Sequence, residues 1–298
     1  MSGGPLVVGD EVRDALEGGV GVVALETSAI GQGLPYPRNL ECAERMSSAI
    51  RSSDAVPAWT GVLEGIVRIG LTDDELVRFA EPGLAVKVAR RDLPSAIAGG
   101  GLGATTVSAT IWAAAKAGIA VSATGGIGGI HLGPGADVSA DLLELARTPG
   151  MLVCSGPKSI VDAVATAERL DELGVALIGY RSDRLASFLV REAPVELEHR
   201  VDTAQEAASV LRSALDLGTR STLLLCNPIP DAHAMDPHEV NEATAEAERR
   251  AADADVRGKA LTPFLLAALA EITDGRSLEA NLALLEDNAR LAGEVASA

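Results

Sequence analysis

The chain has 298 residues, enough for a full hydrophobic core, and 47% of them are hydrophobic, which excludes an intrinsically disordered protein. A formal net charge of −17 leaves no basic surface for a polyphosphate, and 2% aromatic residues leave no stacking platform for single-stranded nucleic acid. Three well-separated cysteines (Cys42, Cys154, Cys226), no basic N-terminal leader and no apolar run of about twenty residues fit a soluble protein of a reducing cytoplasm.

In chain order, residues 10–18 pattern as a short helix and 20–25 as a buried strand whose end delivers Glu26. A carboxylate at the carboxyl end of a strand in an α/β protein faces the usual ligand crevice, whereas the plainer reading is a surface charge or a helix cap. Residues 31–37 read as a loop, 39–53 as an amphipathic helix and 56–69 as a strand or hairpin. Thr72 is placed to cap a helix over 73–79, and 84–89 is a strand that carries Lys87 towards any bound anion. The charged stretch 90–94 that follows reads as the usual solvated turn. Gly99, Gly101 and Ala104 imitate a dinucleotide fingerprint, but no strand precedes them. Thr105 and Thr106 are placed to cap a helix that runs to Ala117, with their hydroxyls also available to a ligand.

The densest chemistry lies in residues 119–160. A β-branched run, 119–123, empties into Thr124-Gly125-Gly126-Ile127-Gly128-Gly129, whose glycines allow positive φ and let backbone N–H groups crowd an anion. His131, Asp137, Ser139 and Asp141 follow, and Ser139 is placed to cap a helix over 140–147. Residues 151–154 form a second buried strand. Beyond it, Pro157 fits the first position of a helix, which would put Lys158 in the first turn. A helix N-terminus and burial both disfavour an ammonium, so the two would leave a free nucleophilic amine there. The alternative is a surface lysine that snorkels to solvent. Lysine is scarce in this chain: among 25 basic residues the only lysines are Lys87, Lys116, Lys158 and Lys259.

After Lys158 a helix continues to about 170. Strands follow at 175–179 and 221–226, with a helix over 203–217 between them, and the chain is nearly all helical from about 236. Its last helix carries Asn281 and Asn288, and His199, His233 and His238 read as loop histidines. The alternation argues for an α/β protein, a single domain with a mostly parallel sheet flanked by helices and a helical C-terminal end.

Taken together, the phrases ALETSAIGQGLPYPRN, VKVARRDLP, GATTVSAT, SATGGIGGIH, DVSADLLELA, VCSGPKSI, LIGY, NPIP, GKALTPFLL and SLEANLALLEDNA resemble the pseudouridine-5′-phosphate glycosidase family, also called indigoidine synthase A-like. The resemblance covers about residues 10–296 in the family's order. It implies reversible cleavage of the C–C glycosidic bond of pseudouridine 5′-phosphate to uracil and ribose 5-phosphate. Glu26 would donate the proton that opens the ribose ring, and Lys158 would form a Schiff base at C1′. Lys87 would contact the phosphate end and Val107 would lie against the substrate. Asp137 would hold a divalent cation, typically manganese, largely through water, one per subunit, while Ser139, Ala140 and Asp141 line the substrate site. Thr106, Thr124, His131 and Asn281 fall on matched motifs and would line the pocket. A homotrimer acting on a small phosphorylated C-nucleoside is implied, with no nucleic-acid or membrane partner.

The chemistry agrees with the resemblance. A C-glycoside has no leaving oxygen to protonate, which disfavours the two-carboxylate route of ordinary glycosidases. An iminium at C1′ supplies an electron sink instead. Two departures stand out: Gln32 where the family has histidine, and a short loop 131–137 with Leu132 where arginine is common. They leave base or phosphate recognition open to change. Two other readings are weighed: an aldolase-like enzyme on another 5-phosphosugar, and a phosphosugar-binding or pigment-pathway accessory protein without turnover.

Overall fold

The structure, a computed structural model, describes residues 5–131 and 137–298. β1 (Leu6–Val8) and α1 (Asp10–Glu17) lead into β2 (Val22–Glu26), which is buried throughout. α2 (Arg38–Arg51) returns the chain to β3 (Val56–Leu63), and β4 (Ile66–Ile69) folds back antiparallel on it. The turn between them needs positive φ at both Glu64 and Gly65. α3 (Asp73–Ala80) starts as expected at Thr72: its hydroxyl accepts from the Glu75 N–H, and the Glu75 carboxylate accepts from the Thr72 N–H.

β5 (Val86–Val88), α4 (Leu93–Gly99), β6 (Gly103–Thr105), α5 (Val107–Ala117) and β7 (Val121–Ala123) complete the first half. The second half runs β8 (Ile130–His131), α6 (Ala140–Leu145), β9 (Gly150–Cys154), β10 (Val161–Asp162), α7 (Ala163–Glu172), β11 (Leu177–Tyr180), β12 (His199–Val201), α8 (Ala204–Asp216) and β13 (Thr222–Cys226). Three helices close the chain: α9 (Pro237–Asp253), α10 (Leu261–Ile272) and α11 (Arg276–Ala296).

The main sheet has the order β1-β4-β3-β2-β7-β9-β13-β11-β12, with β6 also on β3 and β5 on β6. Every pairing from β3 through β12 along that order is parallel. Parallel strands covered on both faces read as continuous apolar runs, and β2, β9 and β13 do so. Alternation then sends successive side chains to opposite layers. Val23 and Leu25 pack with Met46 and Ile50 of α2 and Leu291 of α11, whereas Val22 and Ala24 pack with Val12 of α1 and Ala113 of α5. No helix among the described residues is long and apolar enough to cross a membrane.

Connectivity positions the site. From β2 the chain moves to β3 on one side, and from β7 it moves to β9 on the other. The direction of winding therefore reverses between neighbours β2 and β7, and a crevice opens at their carboxyl ends.

One expected element is absent. No helix begins at Pro157: that residue bridges in parallel to Ile127, the Lys158 N–H donates to the Ile127 carbonyl at 3.0 Å, and the next helix, α7, starts only at Ala163, capped by Asp162. Backbone pairing with the glycine loop holds this segment extended.

Candidate active site

A cavity of about 600 Å³ occupies the crevice, lined by Glu26 of β2, Lys87 of β5, Thr106 after β6, Thr124 after β7 and Lys158 beyond β9, and by residues of α10 and α11. Glu26, the last residue of β2, is buried, and both its carboxylate oxygens accept hydroxyl protons. Ser28 Oγ donates to Oε2 at 2.6 Å, and Thr124 Oγ1, one residue beyond β7, donates to Oε1. Two donors fix the plane of the carboxyl group. Glu26 is thus held ready to exchange a proton with whatever fills the cavity.

The glycine-rich loop after β7 works differently from expectation. None of Gly125, Gly126, Gly128 and Gly129 has positive φ; close approach is what requires them. A Cβ on Gly126 would lie 2.7 Å from the Phe188 ring, and one on Gly128 or Gly129 would collide with Ser139 or Thr166. Much of the loop's N–H capacity is used internally: Thr124 N–H to the Val153 carbonyl, Ile127 N–H to the Gly156 carbonyl, and Gly128 N–H to Asp141 Oδ2 at 3.1 Å. Asp141 Oδ1 accepts from the Ser108 N–H in the first turn of α5, also at 3.1 Å. The anion held by this loop is therefore Asp141, which locks the loop to α5. Ser139 caps α6 as expected, through its Oγ and the Asp141 N–H. Thr106 stands at the N-cap of α5, but its hydroxyl pairs with Ser108 Oγ and caps nothing; Thr105 Oγ1 donates to the Thr60 carbonyl.

Lys158 faces the cavity half-buried, on the extended segment after β9. The helix-dipole argument for its nucleophilicity fails with the missing helix, and it lies instead among other cations. Burial pushes the Lys87 ammonium below its usual range, and the nearby Lys158 pushes it the same way. His131 is also pushed down, by burial first, and Lys87 and Lys158 add to that while Asp137 opposes it. These surroundings favour the neutral imidazole.

Eleven residues expected at the site share this cavity: Glu26, Lys87, Thr106, Thr124, His131, Asp137, Ser139, Ala140, Asp141, Lys158 and Asn281. Val107 does not. Its side chain is buried in the core with Ile111, Ile127 and Leu142, because the first residue of α5 turns away from the crevice. Leu132 lies outside the described residues. Gln32 also lines the cavity, its Nε2 donating to the Ala85 carbonyl at 3.1 Å.

As a cation site the donor set is sparse. Asp137 offers one exposed carboxylate, both Asp141 oxygens are taken by backbone N–H groups, and among the described residues no three His, Cys, Asp or Glu side chains form a metal cluster. These donors fit a hard cation that keeps most of its water, with Asp137 as its protein ligand.

Sequence reasoning missed Arg91, Lys259, Phe188 and Leu285, which also line the cavity. It also missed what Asn288 does. Fully buried on α11, Asn288 donates through Nδ2 to the Thr124 carbonyl at 2.9 Å, contacts Ser155 Oγ at 3.1 Å, and accepts from Asn227 Nδ2 at 3.0 Å. It ties together the turns after β7, β9 and β13. An amide at a position in register with the apolar face of an amphipathic helix was the available signal.

Comparison with known proteins follows the same outline. The sequence profile of the indigoidine synthase A-like protein family matches residues 11–298. A pseudouridine-5′-phosphate glycosidase of Symbiobacterium thermophilum is 47% identical over 97% of this chain and 96% of its own length. One from Saccharopolyspora erythraea is 44% identical over 98% and 97%. Among solved structures, an indigoidine synthase A-like protein of Thermotoga maritima superposes with a TM-score of 0.91 at 36% identity, covering 100% of this chain and 98% of that one. The prealnumycin C-glycosynthase AlnA, solved in complex with ribulose 5-phosphate, gives 0.87 at 40% identity over 98% and 96%.

Proposed function

The chain belongs to the indigoidine synthase A-like family, and from that premise we infer that it is a pseudouridine-5′-phosphate glycosidase, reversibly cleaving its substrate to uracil and ribose 5-phosphate. One observation carries the reading: a hydroxyl-clamped carboxyl group, Glu26, and an amine, Lys158, share a single cavity at the switch point of the sheet, with Lys87 beside them. AlnA, the C-glycosynthase of the same fold, holds ribulose 5-phosphate, a sugar phosphate of the size this cavity accommodates.

In the mechanism we propose, Glu26 delivers a proton to the ribose ring oxygen as the C1′–O4′ bond opens. Lys158 Nζ bonds to C1′. Nζ gives up a proton and C5 takes one up; the C1′–C5 electron pair then passes into the uracil ring as the Nζ lone pair closes an iminium to C1′. Water hydrolyses the iminium, which releases ribose 5-phosphate as the aldehyde and regenerates the amine. Lys87 pairs with the phosphate, and His131, whose surroundings favour the neutral imidazole, is available as a hydrogen-bond partner to a carbonyl or N–H of the base. A divalent cation at Asp137, when bound, would polarise substrate or organise water. The resemblance that implies this chemistry also implies a homotrimer.

The test is uracil release from pseudouridine 5′-phosphate in the presence of manganese. Wild-type protein is expected to turn over, Lys158→Ala to lose activity, and Glu26→Ala to fall by roughly 10²- to 10⁴-fold. No uracil from wild-type protein that still binds ribose 5-phosphate would overturn the glycosidase reading in favour of a binding role.

A further inference from the structure

Three of the chain's four lysines line one cavity: Lys87, Lys158 and Lys259. Lys87 and Lys158 have roles above, whereas Lys259 has none. It sits on the short Gly258–Ala260 turn that leads into α10, far from β5 in sequence but beside it in space. Its Nζ lies 2.7 Å from Asp92 Oδ2 and 3.4 Å from the Lys87 carbonyl oxygen, and its side chain keeps 50% of its exposure.

That ion pair is weakly committed on both sides. Asp92 Oδ2 also accepts from the Ala89 N–H at 3.0 Å, so the carboxylate keeps a partner if the lysine leaves. A half-exposed lysine–carboxylate pair contributes little, and the four-carbon stem leaves the ammonium free to swing. A phosphate dianion close to Lys87 is a stronger partner, because it offers two charges and three acceptor oxygens. Burial and Lys158 already work against the charge on Lys87, so one lysine alone is a poor match for a dianion.

We propose that Lys259 is a second phosphate-binding residue, which exchanges Asp92 for the 5′-phosphate of the substrate and draws the start of α10 over the cavity mouth. The inference rests on the sugar-phosphate reading of the site. It adds the turn before α10 to substrate recognition, since Lys259 lies 101 residues beyond Lys158 in sequence and reaches the cavity only through the fold.

Calorimetric titration of ribose 5-phosphate into wild type, Lys259→Met and Asp92→Asn tests it without turnover. Lys259→Met is expected to weaken binding about tenfold to a hundredfold. Its kcat on pseudouridine 5′-phosphate is expected to stay within about threefold while KM rises, because the phosphate is remote from the bond being broken. Asp92→Asn releases Lys259 and is expected to leave binding equal or tighter. Lys259→Met binding within about twofold of wild type would overturn the proposal. So would an Asp92→Asn variant weakened as much as Lys259→Met, which would mark the pair as a structural tie. If wild type itself binds no ribose 5-phosphate, the reading of the reaction fails, and this inference with it.

Discussion

Asn288 carries no charge and does not line the cavity, yet its amide joins the turns that carry the site. Through the Thr124 backbone it fixes the residue whose hydroxyl clamps Glu26, and through Ser155 it reaches the turn that leads to Lys158. Each of its partners is buried, so truncation orphans several polar groups where no water compensates. Asn288→Ala is expected to lose about 3 kcal/mol of stability. Its kcat should fall at least about tenfold as Glu26 loses its fixed orientation. Thermal unfolding together with steady-state kinetics checks both. A variant of wild-type stability and activity would show that the network is redundant.

At the scale of elements, the turn after β9 shows how backbone geometry places a reactive side chain. Gly156 has φ of +75°, and a Cβ there would collide with the Ala186 carbonyl, while its own carbonyl accepts from the Ile127 N–H. Gly156→Ala therefore combines a left-handed backbone penalty with a backbone clash, together about 2–4 kcal/mol. Lys158, two residues on, moves with the turn. We expect a loss of uracil release larger than the fall in the melting temperature accounts for at the assay temperature, and a crystal structure of the variant would locate the displacement. This turn is also where the sequence is hardest to read. β2, β9 and β13 are legible because each is an apolar run that stops at a polar residue, and α3 and α8 because Thr72 and Thr203 cap them with a glutamate three residues on. The placing of Glu26 and Lys158 in one crevice is legible for the same reason: Glu26 ends β2 and Lys158 lies just beyond β9. Pro157 and Lys158 look locally like a helix start, but a long-range pairing with Ile127 overrides that preference, and local pattern contains no trace of it. β1, β6 and β12 are three residues each, too short for periodicity to register.

For the whole molecule, the net charge of −17 makes the gathering of Lys87, Lys158 and Lys259 at one cavity a local reversal of a general bias. Such a cluster favours an anionic ligand and strains the protein that lacks one, and Lys87 shows the cost directly. Its folded-state ammonium lies below the usual 10.5, through burial first and then Lys158. Between that lowered value and 10.5 the unfolded chain holds a proton that the folded chain has released, so stability rises with pH across this window. Below the window both states are protonated, and the folded protein carries the full penalty of the buried charge. Lys87→Met, which keeps the stem and removes the ammonium, is therefore expected to unfold at a higher temperature than wild type at pH 7, with the difference shrinking as pH rises towards 10.5. The same variant should bind ribose 5-phosphate at least about tenfold more weakly. Saturating ribose 5-phosphate should reverse the order of stability, because the anion neutralises the charge in wild type and finds fewer partners in the variant. Melting curves at several pH values, with and without ribose 5-phosphate, decide the matter: a Lys87→Met protein less stable than wild type at pH 7 without ligand would show that the lysine stem and its surroundings stabilise the fold more than its charge destabilises it.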